Sequence, residues 1–418
     1  MMSQRILRQR EAFAYRLGRK FSEEEWQRHV DDVQRKLQDY RDMDIGNGLT
    51  GHDSRSMYGT RIANGRTHWN RDRRRQHQDL IRHFYQQMQQ VPTEGKGIMM
   101  AGLGGAGKGA LQRPGKDGSD PPIDTRGYFT IDPDKIKEEM ARRGMIPQVE
   151  GLSPMEASPL VHEEASDLAK RLALLGYRHR HNLIWDTTMS GEGSALRKLS
   201  DMRKAGYNDI TGVLADNTTE EALRRAHKRH RSGEESYGED PRSLGGRPVP
   251  SAVSASNEPT PGSGQLSRPA EVFQSVRKQL PSSIVYNMRD PALTPTSVAG
   301  NPDPATFRLP PGVSQQQVAR RRRFLTERSY MATTRELIEQ YEDGKVSFPQ
   351  LVATLASHEY PEDPSGGDWG EVYARAEEMP GPDDFFWVEA AVDSDVLTPE
   401  QVETIIAAID RYHRKSSV

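Results

Sequence analysis

Ile98-Met99-Met100-Ala101-Gly102-Leu103-Gly104-Gly105-Ala106-Gly107-Lys108-Gly109 is an apolar run that ends in a glycine-rich turn and a lysine. The run predicts a buried strand. The glycines let the chain turn tightly and point N–H groups at an anion, and Lys108 adds a mobile point charge. A strand that closes in such a loop and opens a helix is the pattern that cradles nucleotide phosphates. Gly102, Gly104, Gly105, Ala106, Gly107, Lys108, Gly109 and Ala110 are therefore the candidates for holding ATP. A Ser or Thr usually follows the lysine and reaches Mg²⁺. Here Gly109 and Ala110 follow, so Mg²⁺ has to be held by water, by the nucleotide and by carboxylates elsewhere.

Working outward, the chain alternates predicted strands and helices. Strands are expected at 97–102, 128–131, 182–185, 210–215 and 283–287. Helices are expected at 133–144, 159–175, 194–205, 219–231 and 270–279. Asp132 suits a helix cap and Pro133 the first turn after it. This alternation predicts an α/β fold with a mostly parallel sheet. Residues 4–42 and 71–90 read as helices before it, with a Gly/Ser/Asn-rich break at 46–66. Residues 250–269 read as a loop and 291–313, rich in proline, as an extended linker. Residues 314–418 read as helices joined by acidic Pro/Gly loops, ending in a helix capped by Thr398. The expected organisation is thus a helical region at 1–92, a core at 93–290, a linker at 291–313 and a helical region at 314–418.

Composition narrows the function. The chain has 418 residues, 34% of them hydrophobic and 28% charged, with 36 Gly and 27 Pro, which suits one good core with helical appendages. A net charge of −2 gives no global drive toward nucleic acid or membrane. The absence of cysteine excludes disulfides, thiolate metal sites and a cysteine nucleophile. Without a membrane-length apolar run or an apolar leader, a cytoplasmic location is the expectation.

Phosphoryl transfer needs a phosphate cradle, a metal-holding carboxylate, a base at the acceptor hydroxyl and cations on the moving group. Asp186 closes the strand Asn182-Leu183-Ile184-Trp185 and is the metal candidate; a plain turn aspartate beside Thr187 and Thr188 is the other reading. Thr187 and Thr188 are placed on the substrate. Asp134 lies at a strand end, where a parallel sheet binds ligands, and is either a base or a helix-capping group. Arg225, Lys228 and Arg229 share one side of the helix that carries the basic run 224–231, where most charges form a solvated face. A nucleic-acid stripe is one further reading, although no aromatic residues interleave with the run; the functional reading is that one or two of the arginines clamp phosphates. His227 and His230 are assigned to the same face. Arg247, in Gly245-Gly246-Arg247-Pro248, sits on a glycine hinge. Glu163 and Glu164, early in the 159–175 helix, are either surface groups or holders of substrate hydroxyls.

The segments at 102–109, 131–137, 151–158, 162–166, 182–190 and 245–250 stand in the order seen in the zeta toxin family, and residues 65–290 are most similar to its long actinobacterial members. The resemblance implies a P-loop kinase core that moves the ATP γ-phosphate onto the 3′-hydroxyl of UDP-N-acetylglucosamine or a related sugar nucleotide. It implies a restraining antitoxin; apart from the resemblance, the N-terminal helices could cover the nucleotide site as a built-in inhibitor, as a separate antitoxin would. By position, Lys108 would contact the ATP phosphates, Asp134 would be the base, and Arg225 and Arg247 would neutralise the transferring group. Asp186 would be the acidic residue after the central strand, and a glutamate at 163 or 164 would bind the sugar. Gly104-Gly105 stands where the family has Pro-Gly. The adenylate-kinase-like Gly109 and the basic helix keep a nucleotide or polynucleotide 5′-hydroxyl kinase as an alternative. The ends that resemble nothing, 1–60 and 310–418, keep a nucleotide-binding structural protein, phage-encoded or not, as another.

Overall fold

In the computed structural model, the residues described are 21–42, 54–61, 67–115, 118–240, 242–290, 292–300, 332–361 and 368–416. Residues 4–20 of the expected 4–42 helix, most of the 46–66 break, the linker beyond residue 300 and residues 314–331 of the expected helical region lie outside them. No helix among the described residues is long and apolar enough to cross a membrane.

Five parallel strands and one antiparallel edge strand form the central sheet. They are β1 (Lys96–Ala101), β2 (Phe129–Ile131), β3 (Leu183–Asp186), β4 (Asp209–Asp216), β5 (Ser282–Asn287) and β6 (Pro295–Gly300), in spatial order β2-β3-β1-β4-β5-β6. The alternation of the strand residues explains the layers. Met99, Ala101 and Trp185 face one apolar cluster, whereas Ile98, Met100 and Ile184 face another. The first cluster is closed by α2 (Arg71–Met88), α4 (Pro133–Arg142), α5 (His162–Arg178), α6 (Glu192–Lys204) and α8 (Arg268–Val276). The second is closed by α3 (Lys108–Leu111) and α7 (Thr219–Glu239), through Leu111 and Ala222. The fold is therefore α/β with a mostly parallel sheet, as the strand–helix alternation predicts.

Three features depart from the sequence reading. Residues 291–313 open with β6, which pairs antiparallel with β5 and extends the sheet past its expected last strand. The alternating Thr296 and Val298 give that short strand its pattern, despite the surrounding prolines. The 250–269 loop contains a short helix, Ser251–Ser256. The region 314–418 is not one block. α9 (Thr334–Glu342), α10 (Phe348–Ala356), α12 (Phe386–Asp393) and α13 (Pro399–Ser416) form one compact unit. α11 (Trp369–Glu377) belongs instead to the unit that contains the sheet.

In the small unit, Val402, Ile405, Ile406 and Ile409 of α13 pack with Leu351 and Leu355. Its N-terminus is capped as expected: Gln401 N–H donates to Thr398 Oγ1 at 3.2 Å, and Thr398 N–H to Gln401 Oε1 at 2.7 Å.

In the sheet unit, α1 (Glu23–Asp42) buries Val33 and Leu37 in the same cluster as α2 and α5. It is held further by His29, whose Nε2 lies 2.6 Å from Glu156 Oε1; His230 Nε2 reaches the same oxygen at 2.8 Å.

Candidate phosphoryl-transfer cleft

The carboxyl ends of β1, β2 and β3 open into a cleft of about 840 Å³. Local backbone chemistry shapes its first wall. After Ala101 the chain turns through Gly105 at φ +89° and Gly107 at φ +108°, values an L side chain rarely adopts. A Cβ at Gly105 would sit 2.1 Å from the Ala222 carbonyl oxygen, so α7 presses directly on the loop. Lys108 then starts α3, which ends after one turn at Gln112. The lysine Nζ donates to Gly102 O and lies 3.6 Å from Asp186 Oδ1.

The second wall comes from neighbouring strand ends. Gly102 N–H donates to Thr188 O at 3.1 Å, and Thr187 Oγ1 to Met100 O at 3.3 Å. These bonds stitch the β3 end to the loop and set Asp186, Thr187 and Thr188 in the cleft lining. Gln112 Nε2 donates to Asp186 Oδ2 at 3.4 Å. Asp132 caps α4, accepting from Asp134 N–H at 2.8 Å, and lines the cleft as well. Burial, together with the like charges of Asp134 and Asp186, pushes its carboxyl up to about 7.

Asp134 is held differently. Burial alone would raise its carboxyl, but Arg247 at 2.9 Å and Lys137 at 3.2 Å outweigh that and keep it well below the usual carboxylate range. Arg247 follows Gly245 and Gly246, which pack against α7; Gly246 N–H donates to Glu234 Oε1 at 2.6 Å. Arg225 lies over the phosphate loop, its guanidinium bonded to Glu221 at 2.7 Å and to Met288 O at 3.1 Å.

The cleft thus brings together Lys108, Asp134, Asp186, Thr187, Thr188, Arg225 and Arg247 with the loop positions 104, 105, 107, 109 and 110; Gly102 and Ala106 lie behind them as loop support. It does not bring in the two glutamates. Glu164 is buried and turned to α2, 2.6 Å from Arg73 Nε and 2.5 Å from His77 Nε2. Burial pushes its carboxyl up, but Arg73 and His77 outweigh this and bring it to about 2. Glu163 pairs at 3.5 Å with Arg375 of α11. Neither lines the cleft, so the structure does not bring the two expected sugar-binding candidates to it. The physical reason is the register of α5, which aims these two adjacent positions at packed neighbours.

Other expectations change too. His230 is buried against Glu156 rather than solvated, as is required by the inward side of α7. His29, Glu156 and His230 place their possible metal-ligating atoms within 4.8 Å of one another, a grouping invisible in the spacing of the sequence. Arg224 and Arg231 are spent on Glu221 and on Glu23 and Glu235. No residue of α1 lines the cleft, so the described part of the N-terminal region does not cover it.

Lys170, Lys198 and Glu377 line the cleft without having been expected there, and Arg229, expected on the same side of the helix as Arg225, lines it too. Arg229 stands one turn after Arg225 and was legible from helical spacing. The others carried no local signal. In all, ten Lys and Arg side chains against five carboxylates line the cleft, in a chain of net charge −2. Such focusing of positive charge favours polyanionic ligands.

A mostly parallel sheet, a glycine-and-lysine loop after β1 and converging carboxylates and arginines define a kinase-like P-loop site. Residues 83–256 match the family model described as Zeta toxin. No curated protein matches the chain. A solved structure from the PezAT chromosomal toxin–antitoxin system of Streptococcus pneumoniae aligns with 55% of this chain and 83% of its own, at 11% identity and a TM-score of 0.38.

Proposed function

We propose that the cleft transfers the γ-phosphate of ATP to a hydroxyl of a sugar nucleotide such as UDP-N-acetylglucosamine. The observation that carries this reading is the Asp134–Arg247 pair, 2.9 Å apart, in the same cleft as Lys108 and the glycine loop. In the proposed step the acceptor oxygen bonds to the γ-phosphorus and the bond to the β-phosphate oxygen breaks. The hydroxyl proton passes to Asp134, which its charged neighbours keep ionised. Lys108, Arg225 and Arg247 are placed to offset the charge on the moving group and the departing ADP.

Mg²⁺ fits the residues present. Asp132 and Asp186 face the same space closely enough for their charges to oppose one another, and a divalent cation relieves that repulsion. In this reading Asp186 would hold it, and the metal would supply charge neutralisation at the phosphates.

ADP release by the full chain tests the reading. A panel of sugar nucleotides, nucleoside monophosphates and 5′-hydroxyl oligonucleotides identifies the acceptor. Transfer restricted to sugar nucleotides, lost in Lys108→Ala, is the expected result; transfer only to a nucleotide or oligonucleotide reassigns the acceptor, and none at all removes the activity. An antitoxin partner belongs to the same reading, which expects wild-type expression to slow growth and Lys108→Ala to relieve it.

A further inference from the structure

α11 stands some 180 residues beyond β3 in sequence, yet it completes the cleft. Three contacts fix it there. Tyr373 stacks on His162 with ring centroids 3.5 Å apart. Arg375 pairs with Glu163 at 3.5 Å. Trp369 packs into the main apolar cluster, beneath the Arg41 guanidinium. Its last residue, Glu377, is then held twice. The main-chain carbonyl accepts from Lys198 Nζ at 2.8 Å and from Ser194 Oγ. The carboxylate Oε2 accepts from Ser190 Oγ at 2.9 Å and from Ser190 N–H at 3.3 Å.

This arrangement leaves functional groups facing the cleft. Glu377, Lys198 and Lys170 all line it, on α11, α6 and α5. Lys198 and Lys170 are 5% and 4% exposed, so each ammonium sits in a largely desolvated wall, where Lys170 also pairs with Asp167 at 3.1 Å. Lys198 has three N–H donors and gives two, to Ser194 and to the Glu377 carbonyl. A lysine with its stem buried and a donor left over is a point-charge binder for a phosphate oxygen. A carboxylate with one oxygen anchored by a serine has the other for sugar or ribose hydroxyls, which donate to it. None of these groups comes from the loop that handles the donor phosphates. With α11 seated, the cleft still measures about 840 Å³, so the helix is a wall and not a plug.

We propose that α11 forms the acceptor side of the cleft, with the Glu377 carboxylate binding acceptor hydroxyls and the Lys198 and Lys170 ammonium groups binding a phosphate of the same acceptor. The assignment rests on the phosphotransferase reading above and supplies the acceptor contacts that Glu163 and Glu164 do not make. Glu163 has instead a positioning role, holding α11 through Arg375.

The test uses the full chain, with ATP and UDP-N-acetylglucosamine titrated separately by calorimetry and transfer rates measured in parallel. Glu377→Gln and Lys198→Met each weaken UDP-N-acetylglucosamine binding by about tenfold or more, the loss of a charge-assisted hydrogen bond, and leave ATP affinity unchanged. Arg375→Ala, altered outside the cleft, weakens acceptor binding in the same direction, and thermal melts of all three identify any variant that fails to fold. Unchanged acceptor affinity in folded Glu377→Gln and Lys198→Met overturns the proposal, as does tighter acceptor binding in Arg375→Ala, which would make α11 a plug. Wild-type protein that binds neither UDP-N-acetylglucosamine nor a nucleoside monophosphate also overturns it. Binding without transfer overturns only the phosphotransferase reading, because the subsite is read by affinity.

Discussion

The two ends of the cleft are built from different material. The donor end is main chain: a loop whose shape is set by Gly105 and Gly107 and by the close approach of α7. The acceptor end is side chain: Glu377, Lys198 and Lys170 from three helices, positioned by ion pairs, a ring stack and serine hydroxyls. Main-chain sites tolerate little change, because altering a residue alters the backbone itself. Side-chain sites change one group at a time. Substitutions at the donor end should therefore act on the fold of the loop and on all ATP chemistry, whereas those at the acceptor end should change which acceptor is used.

Asp134 stands where the two ends meet, and its replacement has the largest expected effect. Asp134→Asn keeps the shape but removes the proton acceptor, so transfer should fall by about 10²–10⁴-fold. Its charge also balances Arg247, which is 16% exposed. A thermal melt and an ATP titration run beside the rate assay separate lost chemistry from a disturbed cleft. Transfer within a few-fold of wild type would show that another group takes the proton.

The acceptor end depends on buried charge one layer deeper. α5 supplies both Lys170 and Glu163, and it is tied to α2 by Glu164 with Arg73 and His77. Glu164 is depressed to about 2 in the folded protein. An ordinary unfolded glutamate titrates near ~4.3, so the carboxylate contributes about 3 kcal/mol, fully present above that value. As pH falls through about 2 this contribution is lost. Glu164→Gln should then destabilise the sheet unit by about 3 kcal/mol at neutral pH, with Arg73 left uncompensated. The gap between variant and wild type should close between about pH 5 and 2 in melts followed by circular dichroism. A gap that stays constant with pH would mean that packing, not charge, makes the difference.

Gly105→Ala probes the donor end in the same currency. The new Cβ would collide with the Ala222 carbonyl, on a backbone with φ +89°. Strain of this kind costs of order 1–3 kcal/mol, and the loop or α7 has to shift to relieve it. ATP affinity should collapse while UDP-N-acetylglucosamine affinity survives, the reverse of the pattern expected for Glu377→Gln. Parallel loss of both would show that the two ends are not separable.

The same contrast explains what could be read from the sequence. The donor end lies within residues 102–110, where glycine spacing and an apolar approach report backbone geometry directly. Asp134, Asp186 and Arg247 were legible because each sits at a strand end or hinge in a recognisable order. The resemblance puts one of Glu163 and Glu164 on the sugar, and adjacent glutamates on a helix look equivalent until the register is known. Glu164 meets partners at positions 73 and 77, contacts that no local pattern encodes. α11 was hidden for the same reason: its acidic Pro/Gly surroundings resemble the loops of the small unit, and only packing assigns it to the sheet. β6 was masked by prolines, since its pairing is supplied by β5.

The smallest expected effect concerns the missing hydroxyl. Gly109 lies in the first turn of α3 with no left-handed φ, and a Cβ there would meet only the Arg113 guanidinium, at 3.5 Å and 3.8 Å. That is ordinary contact with the end of a flexible side chain. Gly109→Ser is therefore compatible with the fold, and replacing a helical glycine stabilises by a few tenths of a kcal/mol, about the difference in helix propensity. The new hydroxyl stands where it can join Asp186 around a divalent cation at the donor phosphates. The Mg²⁺ concentration for half-maximal ATP binding should fall by about two- to fivefold, the worth of one neutral hydrogen-bonding group. UDP-N-acetylglucosamine affinity should not move, because the acceptor wall is built from other helices. An unchanged Mg²⁺ requirement would mean that the carboxylates at 132 and 186 already meet the metal's demand and that the glycine is a neutral departure. A loss of ATP binding would mean that the loop needs glycine at 109 for the approach of the nucleotide itself.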